Sequence, residues 1–310
     1  MGKVIGCSYI GNNCRRFLWL KFREAFKQII TPELQKIFDD GNRLESVVID
    51  DLKAIGENVK DRDEKTQKQF WIQDPQSNFV GGFLDGLIVR DGEEMVLEIK
   101  SANDKNFKTI KRYGMKKVKP VYHTQLNLYL GFTRHEHGLW RVINKETEEI
   151  YEEVLTFDKK KFSDDARKAR AVVDAPDVLE PCRSSFNCRF CDCKDICEGR
   201  RLPEITCKTC RYYQVKNDMR FPRCLASFDG RCQREPCNCF VYTNNIIDMA
   251  GFTFEDEDVF FNHETERLED CIMLLRDDYG NEYPVRGIDD CIALKERMES
   301  GWSPKARIGY

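Results

Sequence analysis

The placement of cysteine constrains this chain more than any other feature. Of 15 cysteines, none lies between residues 15 and 181 and eleven crowd into 182–239, with Cys7, Cys14, Cys271 and Cys291 nearer the ends. The start, MGKVIGCSYIGNNCRR, lacks the charged-then-apolar order of a signal peptide, and no apolar run approaches the roughly 20 residues of a membrane span. A cytoplasmic protein is therefore expected, with no membrane partner. In that reducing compartment, crowded cysteines read as metal or cluster ligands and not as disulfides. The cysteine-free stretch must fold on apolar burial alone. With 310 residues, 41% of them hydrophobic, one sizeable domain and one or two small ones are expected. A net charge of −3 creates no global basic field, so any affinity for nucleic acid has to come from a local one.

Three segments follow. Residues 1–200 form a body closed by a cysteine-rich neck, 201–245 a second cysteine-rich module, and 246–310 an acidic, then helical, tail. No internal repeat spans them. Within the body, Phe17, Leu18, Leu20 and Phe22 predict a helix over Cys14–Phe26. A second helix begins at Thr31-Pro32, a cap followed by proline in the first turn, and runs towards Leu52. Gln69–Ile72 is short and aromatic. Val80–Arg90 and Met95–Lys100 predict two strands joined at Asp91-Gly92, a hairpin signal. A helix carrying Leu126, Leu128, Tyr129 and Leu130 follows Pro120. Strands over Gly138–Asn144 and Ile150–Phe157 and a charged helix over Asp158–Val173 complete the body.

The chemistry is concentrated in GGFLDG followed by LEIKSA. Residues i and i+2 of a strand share a face, so Glu98 and Lys100 point the same way while Ile99 turns into the core, and a hairpin brings Asp85 opposite them. Two converging carboxylates make a hard, oxygen-rich site suited to Mg²⁺ or Mn²⁺. A lysine beside them can orient a water or offset charge on a phosphate. An ordinary surface hairpin also carries charged residues. Here, however, Glu98 and Lys100 interrupt the apolar run Met95, Val96, Leu97 and Ile99, where unpaired charge is costly, and small residues surround them.

GGFLDG…LEIKSA, followed by YHTQLNLYL, resembles the RecB-like branch of the PD-(D/E)xK nucleases. The resemblance covers about residues 10–200. It implies an α/β fold of restriction-endonuclease type, a central mixed sheet flanked by helices, and a phage-type DNA exonuclease that processes ends for recombination, repair or replication. An endonuclease of the same chemistry and a non-catalytic DNA-binding adaptor are the alternatives. The resemblance assigns catalysis to Asp85, Glu98 and Lys100, and to Gln125 and Tyr129 as the Q-x3-Y pair of the following helix. GNRLE supplies Glu45, although Leu44 stands where many relatives have histidine. The Mg²⁺ or Mn²⁺ site then comprises Glu45, Asp85, Glu98 and Ile99. DNA is the implied substrate, a recombination or replication protein the implied partner, and a bacterial host cytoplasm the implied location.

The neck spacing Cys188-x2-Cys191-x5-Cys197 matches the C-terminal triplet of iron–sulfur members of that branch, among them AddB-type subunits and RecB-like nucleases of CRISPR adaptation. Cys14 fits their distant fourth ligand. The resemblance thus implies a [4Fe–4S] cluster on Cys14, Cys188, Cys191 and Cys197. CxxC spacing alone suits zinc as well; Cys182 and Cys193 are surplus, and Cys7 competes with Cys14. In the second module, Cys207 and Cys210, then Cys224 and one of Cys232, Cys237 and Cys239, with Cys239 preferred, read as a Zn²⁺ ribbon or knuckle. So small a module needs such a staple. Its interleaved arginines and aromatics suit nucleic-acid contact, and a purely structural role suits it equally.

Overall fold

The computed structural model describes residues 4–182, 188–227, 230, 237, 240–256, 260–262, 267–269, 273–285 and 287–304. They form two compact units that interleave along the chain. One comprises Val4–Asn13 and Ile29–Ala171, the other Cys14–Gln28 and the chain from Val172 onward. The N-terminal elements are β1 (Ile5–Gly6), α1 (Cys7–Ile10) and α2 (Arg15–Phe22), of which α2 belongs to the second unit.

The first unit continues with α3 (Pro32–Ala54), β2 (Asn58–Lys60), β3 (Trp71–Gln73), β4 (Val80–Phe83), β5 (Gly86–Arg90) and β6 (Glu93–Ala102). Then come α4 (Asp104–Tyr113), α5 (Met115–Val118), α6 (Pro120–Thr133), β7 (His137–Asn144), β8 (Ile150–Thr156) and α7 (Lys159–Asp174). Five strands make a mixed sheet in the order β2-β5-β6-β7-β8, in which only the β6–β7 pair is parallel. A smaller sheet runs β1-β4-β3.

Helix α3 starts where expected: the Thr31 hydroxyl accepts the Leu34 N–H at 3.3 Å and Pro32 occupies the first turn. Its Leu44, Val48, Ile49 and Leu52 recur at helical spacing and bury one stripe against Ile88, Leu97, Ile99, Leu139 and Ile143 of the sheet. That burial explains Leu44. The position serves the core here.

The strand expected over Val80–Arg90 is two strands in two sheets. It breaks at Leu84-Asp85, with β4 pairing to β1 and β3 and β5 to β2 and β6. The break lets the Asp85 side chain, not a strand neighbour, take the Ile99 N–H at 2.7 Å. The turn at Asp91-Gly92 is confirmed, with φ of +52° and +81°, the paired left-handed conformations of a tight hairpin. Ile99 is in the core, as expected, and is buried. Gly82 has a different purpose: a Cβ there would stand 2.3 Å from the Tyr129 hydroxyl, so only glycine lets α6 approach β4 this closely.

In the second unit, α2 is shorter than the helix expected over Cys14–Phe26, and Cys14 is its N-cap, its sulfur accepting the Phe17 N–H at 3.4 Å. Arg23 is 1% exposed; it donates to the carbonyls of Ala175 (2.8 Å) and Lys208 (3.2 Å) and lies between the rings of Trp19 and Tyr213. A short α8 (Lys194–Cys197) precedes the hairpin of β9 (Tyr213–Gln214) and β10 (Arg223–Cys224), and α9 (Asn244–Ala250) follows. The tail differs from the helical expectation. It adds β11 (Thr253–Asp256), β12 (Phe260–Asn262), β13 (Arg267–Glu269), β14 (Met273–Arg276) and β15 (Glu282–Val285) before α10 (Ile288–Glu299). Strands this short leave no period by which sequence distinguishes them from helix. No helix among the described residues is long and apolar enough to cross a membrane.

Candidate active site

All six residues assigned to catalysis lie in the first unit, and three elements and one strand junction supply them. Strand β6 contributes Glu98 and Lys100 on one face, the β4–β5 break contributes Asp85, α3 contributes Glu45, and α6 contributes Gln125 and Tyr129. Glu98 is the centre. One carboxylate oxygen, Oε1, accepts from Gln125 Nε2 at 2.7 Å and lies 2.5 Å from Lys100 Nζ. The other, Oε2, is buried with no hydrogen-bond partner. Lys100 Nζ is 3.9 Å from Asp85 Oδ2 and also donates to the Ile99 carbonyl at 3.1 Å. The Tyr129 hydroxyl is 3.5 Å from Gln125 Nε2, so Gln125 is the residue that touches Glu98 while Tyr129 backs it.

The electrostatics follow from burial. Glu98 is wholly buried, and burial, followed by the Asp85 and Glu45 carboxylates, raises its pKa to about 8 against the opposing pull of Lys100. Burial and then Asp85 raise Glu45 to about 7. Burial also raises Asp85, opposed by Lys100 and the Ile99 N–H. Lys100 is the reverse case: burial would lower its pKa, but Glu98 and Asp85 outweigh it and hold the ammonium charged.

Three acids pushed upward around one cation lack positive charge. The bare Oε2 of Glu98 shows where it is missing, since leaving a buried carboxylate oxygen unbonded costs on the order of 1–3 kcal/mol or more. The residues therefore fit a hard divalent cation, with Glu45, Asp85 and Glu98 as oxygen donors and Ile99 able to offer only its main chain. Among the described residues, no group of three or more His, Cys, Asp or Glu side chains is already gathered into a metal-holding cage. Drawing the carboxylates together without a cation would raise their repulsion further.

A pH dependence follows from these shifts. A carboxyl whose folded pKa lies above its unfolded value, about 4.3, holds its proton longer when folded, so stability falls as pH rises between the two values. We expect the cation-free protein to lose melting temperature from about pH 5 to about pH 8, and Glu98→Gln to lose less. Mg²⁺ or Mn²⁺ should stabilise more at about pH 8 than at about pH 6, because it binds the ionised acids. Thermal melts at both pH values, with and without metal, provide the check. A metal-induced rise independent of pH would remove these acids as ligands.

Sequence reasoning missed several neighbours. A cavity of about 480 Å³ opens beside Glu45 and Asp85, lined also by Asn42, Ser46, Asp61, Arg62 and Gln69. The Tyr122 ring lies 5.5 Å from Lys100 Nζ. Cys7 is buried in this same unit, its thiol pushed up by burial and by Asp74 and Glu98. Within its own unit it therefore lies close enough to the carboxylate site to feel Glu98. Only the position of Tyr122, three residues before Gln125, gave any signal.

The neck thiols meet within the second unit. Cys14 shares a hydrogen bond with Cys182, and Cys182 another with Cys188. Cys191 Sγ lies 3.4 Å from Cys193 Sγ, a contact that lowers the Cys191 pKa to about 6, and Arg16 Nη1 donates to Cys197 Sγ at 3.5 Å. The surplus Cys182 and Cys193 thus belong to the same neighbourhood as Cys14, Cys188, Cys191 and Cys197. In the following module, Cys207 and Cys210 flank a turn closed by the Cys210 N–H to the Cys207 carbonyl at 3.2 Å. Burial raises the Cys210 thiol to about 11, with Cys224 and Cys237 adding to the rise. Cys232 and Cys239 lie outside the described residues.

Residues 11–136, less than half the chain, match the family profile of the YqaJ-like viral recombinase domain, and all six catalytic candidates fall inside that span. Among solved structures, the chain is similar to SSO0001, with 21% identity and a TM-score of 0.43 over 64% of this chain and 86% of that one. It is also similar to an alkaline exonuclease, LHK-Exo, from Laribacter hongkongensis, with 18% identity and a TM-score of 0.41 over 55% of this chain and 86% of that one. A phage-related exonuclease from Haemophilus somnus 129PT gives 13% identity and a TM-score of 0.41 over 56% and 92%. No curated protein sequence matches.

Proposed function

We propose that this protein is a metal-dependent DNA exonuclease that processes ends during recombination. The observation that carries the reading is Glu98: fully buried, fixed through Oε1 by Gln125 and Lys100, and left with Oε2 bare beside Asp85 and Glu45. A carboxylate held like this is preorganised to ligate. A divalent cation there, Mg²⁺ or Mn²⁺, would supply Lewis acidity at a phosphate oxygen and ease deprotonation of a water. The chain's own residues do the rest. Lys100, about a quarter exposed beside the carboxylates, can donate to the attacking water or to the non-bridging oxygen on which charge accumulates. Gln125 keeps Glu98 in one rotamer, and Asp85 is aimed by its bond to the Ile99 N–H. The match of residues 11–136 to a viral recombinase domain supports the recombination context, with a phage-encoded enzyme acting in a host cytoplasm.

Two soft-metal sites belong to the same proposal, in keeping with the division into residues 1–200, 201–245 and 246–310. The neck's donor set, Cys14, Cys188, Cys191 and Cys197 with Cys182 and Cys193 adjoining, suits a thiolate-bound [4Fe–4S] cluster. Cys207, Cys210 and Cys224 with Cys237 or Cys239 suit structural zinc. Neither takes part in hydrolysis, which needs a hard Lewis acid.

The test compares end-labelled linear DNA with covalently closed circles in the presence of Mg²⁺ or Mn²⁺. We expect metal-dependent degradation of linear DNA and intact circles. Cleavage of circles at a similar rate would make the enzyme an endonuclease, and inertness towards both would overturn the nuclease reading.

A further inference from the structure

We propose that α4 and α5 form a basic ridge that holds the duplex backbone behind the end being digested. The inference rests on the exonuclease reading. Residues 104–119, DKNFKTIKRYGMKKVK, contain seven Lys or Arg and one acid, in a chain whose net charge is −3. Phe107, Ile110 and Met115 are buried and anchor the two helices, while Lys105, Lys108, Lys111, Arg112, Lys116 and Lys117 are exposed.

Pairing separates this segment from an ordinary solvated face, on which acids and bases alternate. Lys108 bonds Asp104 and Lys111 bonds Glu149. Among the described residues, Lys105, Arg112, Lys116, Lys117 and Lys119 have no acidic partner within ion-pair distance. Lys116 is close enough to His123 to help, after burial, lower that imidazole to about 4. Glu153, which accepts the Met115 N–H at 2.7 Å, and Asp158, on which Lys116 acts, lie nearby, yet the exposed face keeps an excess of positive charge that favours a polyanion. Tyr113, 48% exposed, lies between Arg112 and Lys117, whose cationic groups are 5.1 and 5.3 Å from its ring centroid.

The ridge is attached to the site at both ends. It begins one residue beyond β6, which carries Glu98 and Lys100, and it ends at Lys119, whose carbonyl accepts the Tyr122 N–H at 3.0 Å. The Tyr122 ring in turn faces Lys100 Nζ at 5.5 Å. A polyanion following the ridge is thereby delivered to the catalytic lysine. Helix α4, ten residues long, extends about 15 Å, or four to five base pairs at 3.4 Å each. Backbone contacts of this type hold register without reading sequence.

The test uses the full chain with Asp85→Asn as background, so that bound DNA survives. Binding of end-labelled duplex is measured by fluorescence anisotropy across a salt series, with and without Arg112→Ala, Lys116→Ala and Lys117→Ala together, and melting temperatures confirm the fold. Removing three phosphate contacts should flatten the slope of log affinity against log salt by about 2–3 and weaken binding at least about tenfold at 0.15 M salt. An unchanged slope and affinity in the folded triple variant would overturn the ridge alone. Absence of duplex binding by the parent would overturn both the ridge and the nuclease reading. Binding to anionic vesicles but not duplex would reassign the ridge to a membrane surface and likewise overturn it.

Discussion

Asp85→Ala and Lys100→Ala should each abolish DNA cleavage, by on the order of a thousandfold or more, while the protein stays folded. Asp85 has two duties in the structure: one oxygen takes the Ile99 N–H at 2.7 Å, and the carboxylate contributes to the charge around Glu98. Its removal takes away a proposed cation ligand and the acceptor of the Ile99 N–H while relieving repulsion on Glu98, and these opposing effects should leave the variant folded in the absence of metal. Lys100→Ala removes the ammonium that offsets these acids. Glu98 Oε1 then keeps Gln125, and the carboxyl can retain a proton, since its pKa is already raised to about 8. Single-turnover cleavage and thermal melts measured together decide the matter. Near-normal turnover by folded Lys100→Ala would exclude the proposed mechanism. Glu45→Ala should also cripple the proposed cleavage, and full activity would remove Glu45 while leaving the β6 residues in place.

Cys14→Ser should have the opposite profile, with lower stability and surviving chemistry. Cys14 caps α2 and shares a hydrogen bond with Cys182, so its sulfur ties residue 14 to the neck more than 160 positions later. By analogy with other cross-links closing long loops, the proposed cluster would contribute about 2–5 kcal/mol. We expect brown, iron-containing protein that loses iron and melts earlier on Cys14→Ser or Cys191→Ser and retains zinc. Metal-dependent cleavage should persist in the cold, because the carboxylates lie on β6, α3 and the β4–β5 junction and hydrolysis requires no electron transfer. Iron-free protein after anaerobic preparation would reassign the neck to zinc. Reversible switching of cleavage by reduction and reoxidation, at unchanged stability, would replace the structural role with a redox one.

The amino-acid sequence determined the local parts of this protein, because each is written in residues close together. The i, i+2 relation of Glu98 and Lys100, the Asp91-Gly92 turn, the Thr31-Pro32 helix start and the Gln125–Tyr129 spacing all follow from backbone periods that neighbouring residues set. The tertiary structure decided the rest. It broke Val80–Arg90 into strands of two sheets, which places Asp85 on the Ile99 N–H, and it brought Tyr129 against Gly82. It grouped Cys14 with the neck and Cys7 with Glu98, although both precede the same helix. It also left one oxygen of Glu98 without a partner. Burial, the approach of distant helices and the fields of groups far apart in sequence are sums over the folded chain, and no local pattern of residues encodes such a sum.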